Sequence, residues 1–162
     1  MPITPEQLAK PGHEHDHQKA VCQAVALTLS KTWPAAILLH AIPNGSRLMG
    51  TGTTEGNIEG NKMKAEGLRP GVPDMFLPVL APRVTPLAHP WPGLYLEMKV
   101  PGRETKALGG RTDKQQKWHR DLVAQGYAVA TAYGWQAGVR AITDYLSGRF
   151  VLPPGGDCAF YS

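Results

Sequence analysis

Cysteine is scarce: Cys22 and Cys158 are the only two in 162 residues. Two thiols so far apart give neither a disulfide framework nor the paired spacing of a zinc knuckle, and they fit a reducing setting. Cys22 falls on an apolar helical face and is expected to be buried as a small hydrophobe. No apolar run approaches the roughly 20 residues of a membrane span. The opening Met1-Pro2-Ile3-Thr4-Pro5-Glu6 lacks the basic-then-apolar pattern of an export signal. A cytoplasmic protein with no membrane partner is the expectation. Internal repeats and low-complexity tracts are absent as well, which excludes solenoids and disordered linkers.

What is present fits one globular domain. A chain of this length buries about two-thirds of its unfolded surface, enough for a core without staples. Hydrophobic residues are 42% and charged residues 19%. The 18 glycines and 15 prolines point to many loops. The net charge is only +4, but it is concentrated. Between positions 99 and 120 stand seven basic residues (Lys99, Arg103, Lys106, Arg111, Lys114, Lys117, Arg120) against two acidic ones, Glu104 and Asp113. Such an excess suits a phosphate-binding face, and equally a solvated helix with its loop.

Helical spacing of Val21, Ala24, Val25, Thr28 and Leu29 predicts a helix from about 14 to 31, ended by Trp33-Pro34. Residues 36–42 read as a buried strand, 43–46 as a turn, and 58–66 as a short helix closed by Gly67. Strands are expected at 74–80, 94–100 and 127–133, with Pro78 marking an edge or early end. Thr112-Asp113-Lys114-Gln115 is a capping box opening a helix to about Gln125, and a last helix covers 135–146. This order predicts an α/β fold: a mixed central sheet of about four strands with helices on both faces. The expected layout is a leader at 1–12, one domain over 13–148 and an irregular tail at 149–162.

The chemistry concentrates on two motifs. In Leu94-Tyr95-Leu96-Glu97-Met98-Lys99-Val100, side chains alternate, so Tyr95, Glu97 and Lys99 share one face. A Glu and a Lys on the second face of a covered sheet are expensive unless paired or bound to something. A surface ion pair is the plain alternative. Asp74, entering its strand after Gly71-Val72-Pro73, could converge with Glu97 if the two strands are neighbours; otherwise it is an ordinary turn residue. Two carboxylates suit Mg²⁺, which keeps several waters. The ion would activate a water against a phosphodiester, with Lys99 orienting or deprotonating that water, or stabilising developing charge.

Taken together, Lys64-Ala65-Glu66-Gly67-Leu68-Arg69-Pro70-Gly71-Val72-Pro73-Asp74, Gly93-Leu94-Tyr95-Leu96-Glu97-Met98-Lys99, Thr112-Asp113-Lys114-Gln115-Gln116-Lys117-Trp118 and Gly126-Tyr127-Ala128-Val129 resemble the virus-type replication-repair nuclease (VRR-NUC) domain of the PD-(D/E)xK superfamily. Ala41-Ile42-Pro43-Asn44-Gly45 and Glu14 with Gln18 extend the likeness over roughly residues 14–146. The resemblance implies a restriction-endonuclease-like core. It implies Mg²⁺ or Mn²⁺ held by Asp74, Glu97 and the Met98 backbone carbonyl, with Glu14 as a further acidic ligand or supporting group. Lys99 is then the catalytic lysine and Gln115 an accessory residue, beside its capping role. DNA would be contacted by Arg69, Arg103, Lys106, Arg111, Lys114, Lys117 and Arg120, with Asn44 and His119 as accessories; a Pro-Asn-Gly turn explains Asn44 equally well. Stand-alone members, mostly of phages and bacteria, are thought to act as homodimers on branched DNA such as four-way junctions. The implied partners are therefore DNA and a second copy, without a nucleotide cofactor, in the cytoplasm of a bacterium or phage-infected cell. A less selective flap or nicking endonuclease is the second version. The chain departs from the pattern in a longer, Gly-rich connection from Ser46 to Asn57 and in its tail.

Two other classes compete. His13-Glu14-His15-Asp16-His17 satisfies His-Glu-x-x-His, which on a helix holds zinc in a metalloprotease. It stands at a helix start and lacks an evident third ligand, with His40, His89 and His119 left to supply one. A nucleic-acid-binding module without catalysis would keep the basic segment but need no register among Asp74, Glu97 and Lys99.

Overall fold

The computed structural model describes residues 3–9, 12–43, 61–82 and 90–162. Asn44, His89 and the Gly-rich connection over 46–57 lie outside the described residues. A short α1 (Pro5–Leu8) is opened by a Thr4–Gln7 capping box. Helix α2 (Glu14–Ala24) runs through a π-helical turn, Val25–Leu29, into α3 (Ser30–Thr32). The buried strand expected over 36–42 is instead a 3₁₀ turn, Pro34–Leu38, followed by the two-residue β1 (His40–Ala41). Pro34, with its fixed φ, starts that turn, and Ile37 and Leu38 lie exposed. Helix α4 covers residues 61–65. Strand β2 (Met75–Leu77) stops at Pro78, β3 is Leu94–Lys99, α5 Asp113–Ala124, β4 Ala128–Tyr133 and α6 Trp135–Leu146. The tail, expected to be irregular, contributes β5 (Ala159–Tyr161).

Among the described residues one mixed sheet results, of five strands where about four were expected, in the order β1-β2-β3-β4-β5. The β1/β2 and β2/β3 pairs are antiparallel; β3/β4 and β4/β5 are parallel. Leu94, Leu96, Met98, Ala128, Ala130 and Ala132 share a core with Val21 of α2 and Ala137, Ala141, Ile142 and Tyr145 of α6. Small residues permit the close approach. A Cβ on Gly138 of α6 would sit 2.8 Å from Val21 Cγ2 and 3.3 Å from Met98 Sδ. On the opposite face, Leu122 of α5 packs with Val129 and Cys158, flanked by Tyr95, Trp118 and Tyr127. Helices therefore cover both faces, and Glu97 and Lys99, on the α5 side, are taken out of water. Cys158 is buried, but Cys22 is exposed, contrary to expectation; α2 buries His17, Ala20, Val21 and Ala24, and Cys22 falls outside that stripe. Among the described residues no helix is long and apolar enough to cross a membrane.

Candidate active site

Asp74 and Glu97 meet because β2 and β3 are hydrogen-bonded neighbours. Met75 pairs with Leu96, which brings Asp74 alongside Glu97 and Met98. The Asp74 Oδ2 accepts a hydrogen bond from the Met98 amide at 2.8 Å, and its carbonyl accepts from Ile42 N at 2.8 Å. The first carboxylate is thus fixed by the backbone of the strand carrying the second.

Glu97 has no exposed surface. Its Oε1 accepts from Lys99 Nζ at 2.6 Å and from the Gln115 side-chain amide. Lys99 is also almost fully buried; its Nζ lies 3.3 Å from the Met98 carbonyl and 3.5 Å from Glu14 Oε1. Gln115 is oriented by its own capping box: its Oε1 accepts from the Thr112 amide at 2.9 Å, which leaves its NH₂ for Glu97. Capping and site-building are one arrangement. Burial, and next the Asp74 carboxylate, push the Glu97 carboxyl up to about 8, against the pull of Lys99. For Lys99, burial works against the charged form, but the Glu97, Glu14 and Asp74 carboxylates outweigh it and hold the ammonium above its usual range.

Glu97 Oε2 is buried and has no hydrogen-bond partner. An anionic oxygen left so, beside a second carboxylate, is strongly unfavourable unless a proton or a cation meets it. The donor set therefore fits a divalent ion: Asp74 and Glu97 as oxygen ligands, with waters completing a shell as Mg²⁺ prefers. Among the described residues no group of three or more His, Cys, Asp or Glu side chains forms a metal cage. Glu14 stands 3.5 Å from Lys99 Nζ through its Oε1. The Met98 carbonyl, expected as a ligand, faces Lys99 Nζ.

Of these groups Glu14, Lys99 and Gln115 line a cleft of about 600 Å³, together with His13, His15 and Arg103 among others. Arg103 is the one of the seven expected DNA-contacting residues that borders it. Arg69, Lys106, Lys114, Lys117 and Arg120 are exposed elsewhere on the surface, Lys117 paired with Asp121 at 2.6 Å. Among the described residues the histidine-rich segment forms no group of three metal-ligating side chains. His13 caps α2 from outside, in extended conformation, whereas His17 is buried with both ring nitrogens unpartnered. Sequence reasoning missed that His13 and His15 border the cleft; their closeness to Glu14 was the available signal.

Arg111 and His119 turn inward, so neither can serve as a phosphate contact. His119 has no exposed surface, and Arg111 is buried except for a small fraction. The Arg111 Nη1 donates to His119 Nδ1 at 2.9 Å and to Asp157 Oδ2 at 3.0 Å. Because a guanidinium only donates, His119 is neutral with its proton on Nε2. Burial, and then the neighbouring Arg111 charge, lower its pKa from 6.5 to about 3; Asp157 opposes this and Lys99 adds to it. The unfolded chain thus binds a proton on this residue that the folded chain refuses, and stability falls as pH drops from about 6.5 toward 3. Compared with the wild type, His119→Gln is expected to flatten the fall in melting temperature across that window. Thermal melts at successive pH values check this, and parallel curves for the two proteins contradict it.

No family model matches the sequence, and no curated protein matches it. Among solved structures, one described as a VRR_NUC domain protein superposes with a TM-score of 0.61, covering 93% of this chain and 94% of that one at 20% identity. The chain shares the fold of that VRR_NUC domain protein. At that identity the likeness establishes architecture, and the architecture, a mixed sheet with helices on both faces, agrees with the α/β fold expected from the motifs. The antiparallel β2/β3 pair next to the parallel β3/β4 pair is the arrangement that joins Asp74 to Glu97.

Proposed function

We propose that this protein is a divalent-metal-dependent DNA endonuclease. One observation carries the reading: Asp74, Glu97, Lys99 and Gln115 converge from three elements, with a buried Glu97 oxygen unpartnered where a cation would sit. Asp74 and Glu97 would hold Mg²⁺ or Mn²⁺. When bound, such an ion lowers the pKa of a water nucleophile and neutralises charge on the phosphate. Lys99 acts as a cation rather than a base, since its nitrogen already serves Glu97 and stands near Glu14 and the Met98 carbonyl. Placed at the cleft wall, its charge stabilises the pentacovalent phosphate as negative charge develops. Gln115 keeps Glu97 Oε1 occupied, so that the second oxygen is the one presented. Arg103, His13 and His15 line the cleft and would meet the DNA strand there.

The substrate we infer is branched DNA, cut by a homodimer. Two sites related by a two-fold axis suit symmetric incision of a four-way junction, and the VRR-NUC resemblance of the motifs points the same way. A labelled junction and a linear duplex of the same sequence, each with Mg²⁺, Mn²⁺ or EDTA, test both levels. Paired symmetric cuts in the junction alone, abolished by EDTA, are the expected result. Equal cutting of both DNAs would keep the nuclease and replace junction selectivity by general nicking. Absence of metal-dependent cutting on any DNA would overturn the reading.

A further inference from the structure

A buried polar hub lies beyond the catalytic groups, and nothing in the proposed reaction uses it directly. Arg111 stands at its centre. Its Nε donates to the Leu108 carbonyl at 2.8 Å, and its Nη1 reaches His119 Nδ1, Asp157 Oδ2 and, at 3.3 Å, Cys158 Sγ. The guanidinium carbon sits 4.9 Å over the Phe160 ring. Cys158 Sγ continues the network to Thr131 Oγ1 at 3.4 Å, and Thr131 is the β4 residue in register with Glu97. One side chain thus ties together the 107–110 turn, helix α5, strand β4 and the C-terminal strand. The turn is itself unusual, since Leu108 adopts the left-handed region at φ 55°. Non-glycine residues rarely do so unless surrounding contacts hold them there.

We infer that Arg111 and Asp157 are positioning residues for the catalytic site, which makes the C-terminal strand part of the catalytic apparatus; this rests on the nuclease reading above. The route is short: hydrogen bonds joined by one peptide bond. Arg111 immediately precedes Thr112. The Thr112 amide holds Gln115 Oε1, which turns the Gln115 NH₂ onto Glu97 Oε1. His119, one turn further along α5, is gripped by the same guanidinium, so both ends of the helical turn carrying Gln115 are referenced to Asp157 and Cys158. Arg111 uses two separate nitrogens for this, Nε for Leu108 and Nη1 for His119 and Asp157; the three donors of a lysine radiate from one nitrogen and do not reproduce that spread. Asp157 is only partly exposed and its ion pair with Arg111 spans 46 positions of sequence, so it fastens the tail to the helix rather than decorating a surface.

The test uses the full chain with Asp157→Asn and Arg111→Lys, with Asp157→Glu as the conservative control. Three quantities are read: melting temperature, Kd for junction DNA in Ca²⁺ or EDTA, and single-turnover cleavage rate in Mg²⁺. The Gln115 side-chain amide signals in a ¹H–¹⁵N spectrum give a fourth that needs no activity. In folded Asp157→Asn we expect cleavage to fall about 10- to 100-fold with Kd unchanged, the Gln115 signals displaced, and partial recovery in Asp157→Glu. Arg111→Lys should reproduce the loss. Unchanged cleavage in a folded variant, or Gln115 signals identical to wild type, would overturn the inference. So would a rate loss that merely follows the fraction unfolded. If Asp157→Asn does not fold, Asp157→Glu and Arg111→Lys carry the same readouts. A wild-type protein that cuts no DNA would refute the nuclease reading, and the Gln115 signals would still decide whether Arg111 and Asp157 set that side chain.

Discussion

Glu97→Gln is expected to lower DNA cleavage by about 10³-fold or more, while junction binding measured in EDTA stays within a few-fold of wild type. The substitution changes charge and almost nothing else. The substituted side chain would still offer a carbonyl oxygen to Lys99 and to Gln115, and Lys99 would keep Glu14 at 3.5 Å. The fold should survive. A buried carboxylate with an unpartnered oxygen is an unfavourable thing to fold around, so the melting temperature without divalent ion is expected to hold or rise. That combination separates the readings. A structural ion pair would lose stability on neutralisation and leave any cleavage intact. A DNA-binding module without catalysis would show no change at all. Lys99→Ala complements it, with a cleavage loss of about 10²–10³-fold and a lower melting temperature, because it abandons Glu97 without its cation. Retained cleavage in either variant, with metal present, would remove Glu97 and Lys99 from the chemistry.

Much of this site was legible in the residues because its geometry is short-range. Alternation along 94–100 puts Glu97 and Lys99 on one face without any knowledge of the fold. The capping box at Thr112 places Gln115 one turn into its helix, and the last helix lies where it was expected, at 135–146. What needed three dimensions was long-range. The β2/β3 pairing that brings Asp74 to Glu97 could only be supposed, since two separate strands do not declare that they are neighbours. Arg111 and His119 looked like further members of a basic surface, because charge counted along a sequence carries no direction; Asp157, far along the chain, turns Arg111 inward. The segment over 36–42 misled for a different reason. A short apolar run does not distinguish strand from turn, and Pro34 decided for the turn. The tail was unreadable because three residues, Ala159–Tyr161, are too few to show alternation, and β5 exists through its pairing with β4.

Gly71→Ala should reduce cleavage by about 10²-fold, although the residue touches neither metal nor DNA in the proposed mechanism. Gly71 has φ +90°, a left-handed conformation that an L side chain rarely adopts. A Cβ there would also stand 2.8 Å from Lys114 Cβ and 2.9 Å from the Lys114 backbone carbon, with Gln115 N at 3.1 Å. Those neighbours are mostly backbone of the first turn of α5 and cannot swing aside. The chain must relieve the strain by moving the 71–74 loop away from the helix or by shifting the helix start. Either movement carries a site residue with it, since Asp74 is three positions along the loop and Gln115 lies at the contact itself. Conformational strain of about 1–3 kcal/mol and overpacking of similar size should lower the melting temperature by several degrees. Gly67→Ala supplies the comparison. Gly67 has φ +106° but nothing within 4 Å of its would-be Cβ. It should therefore lose stability through the backbone alone and cut DNA at the wild-type rate. If Gly71→Ala cleaves as fast as Gly67→Ala when both are folded, then the packing of the loop on α5 does not set the distance between Asp74 and Glu97, and the tight glycine is a matter of stability only.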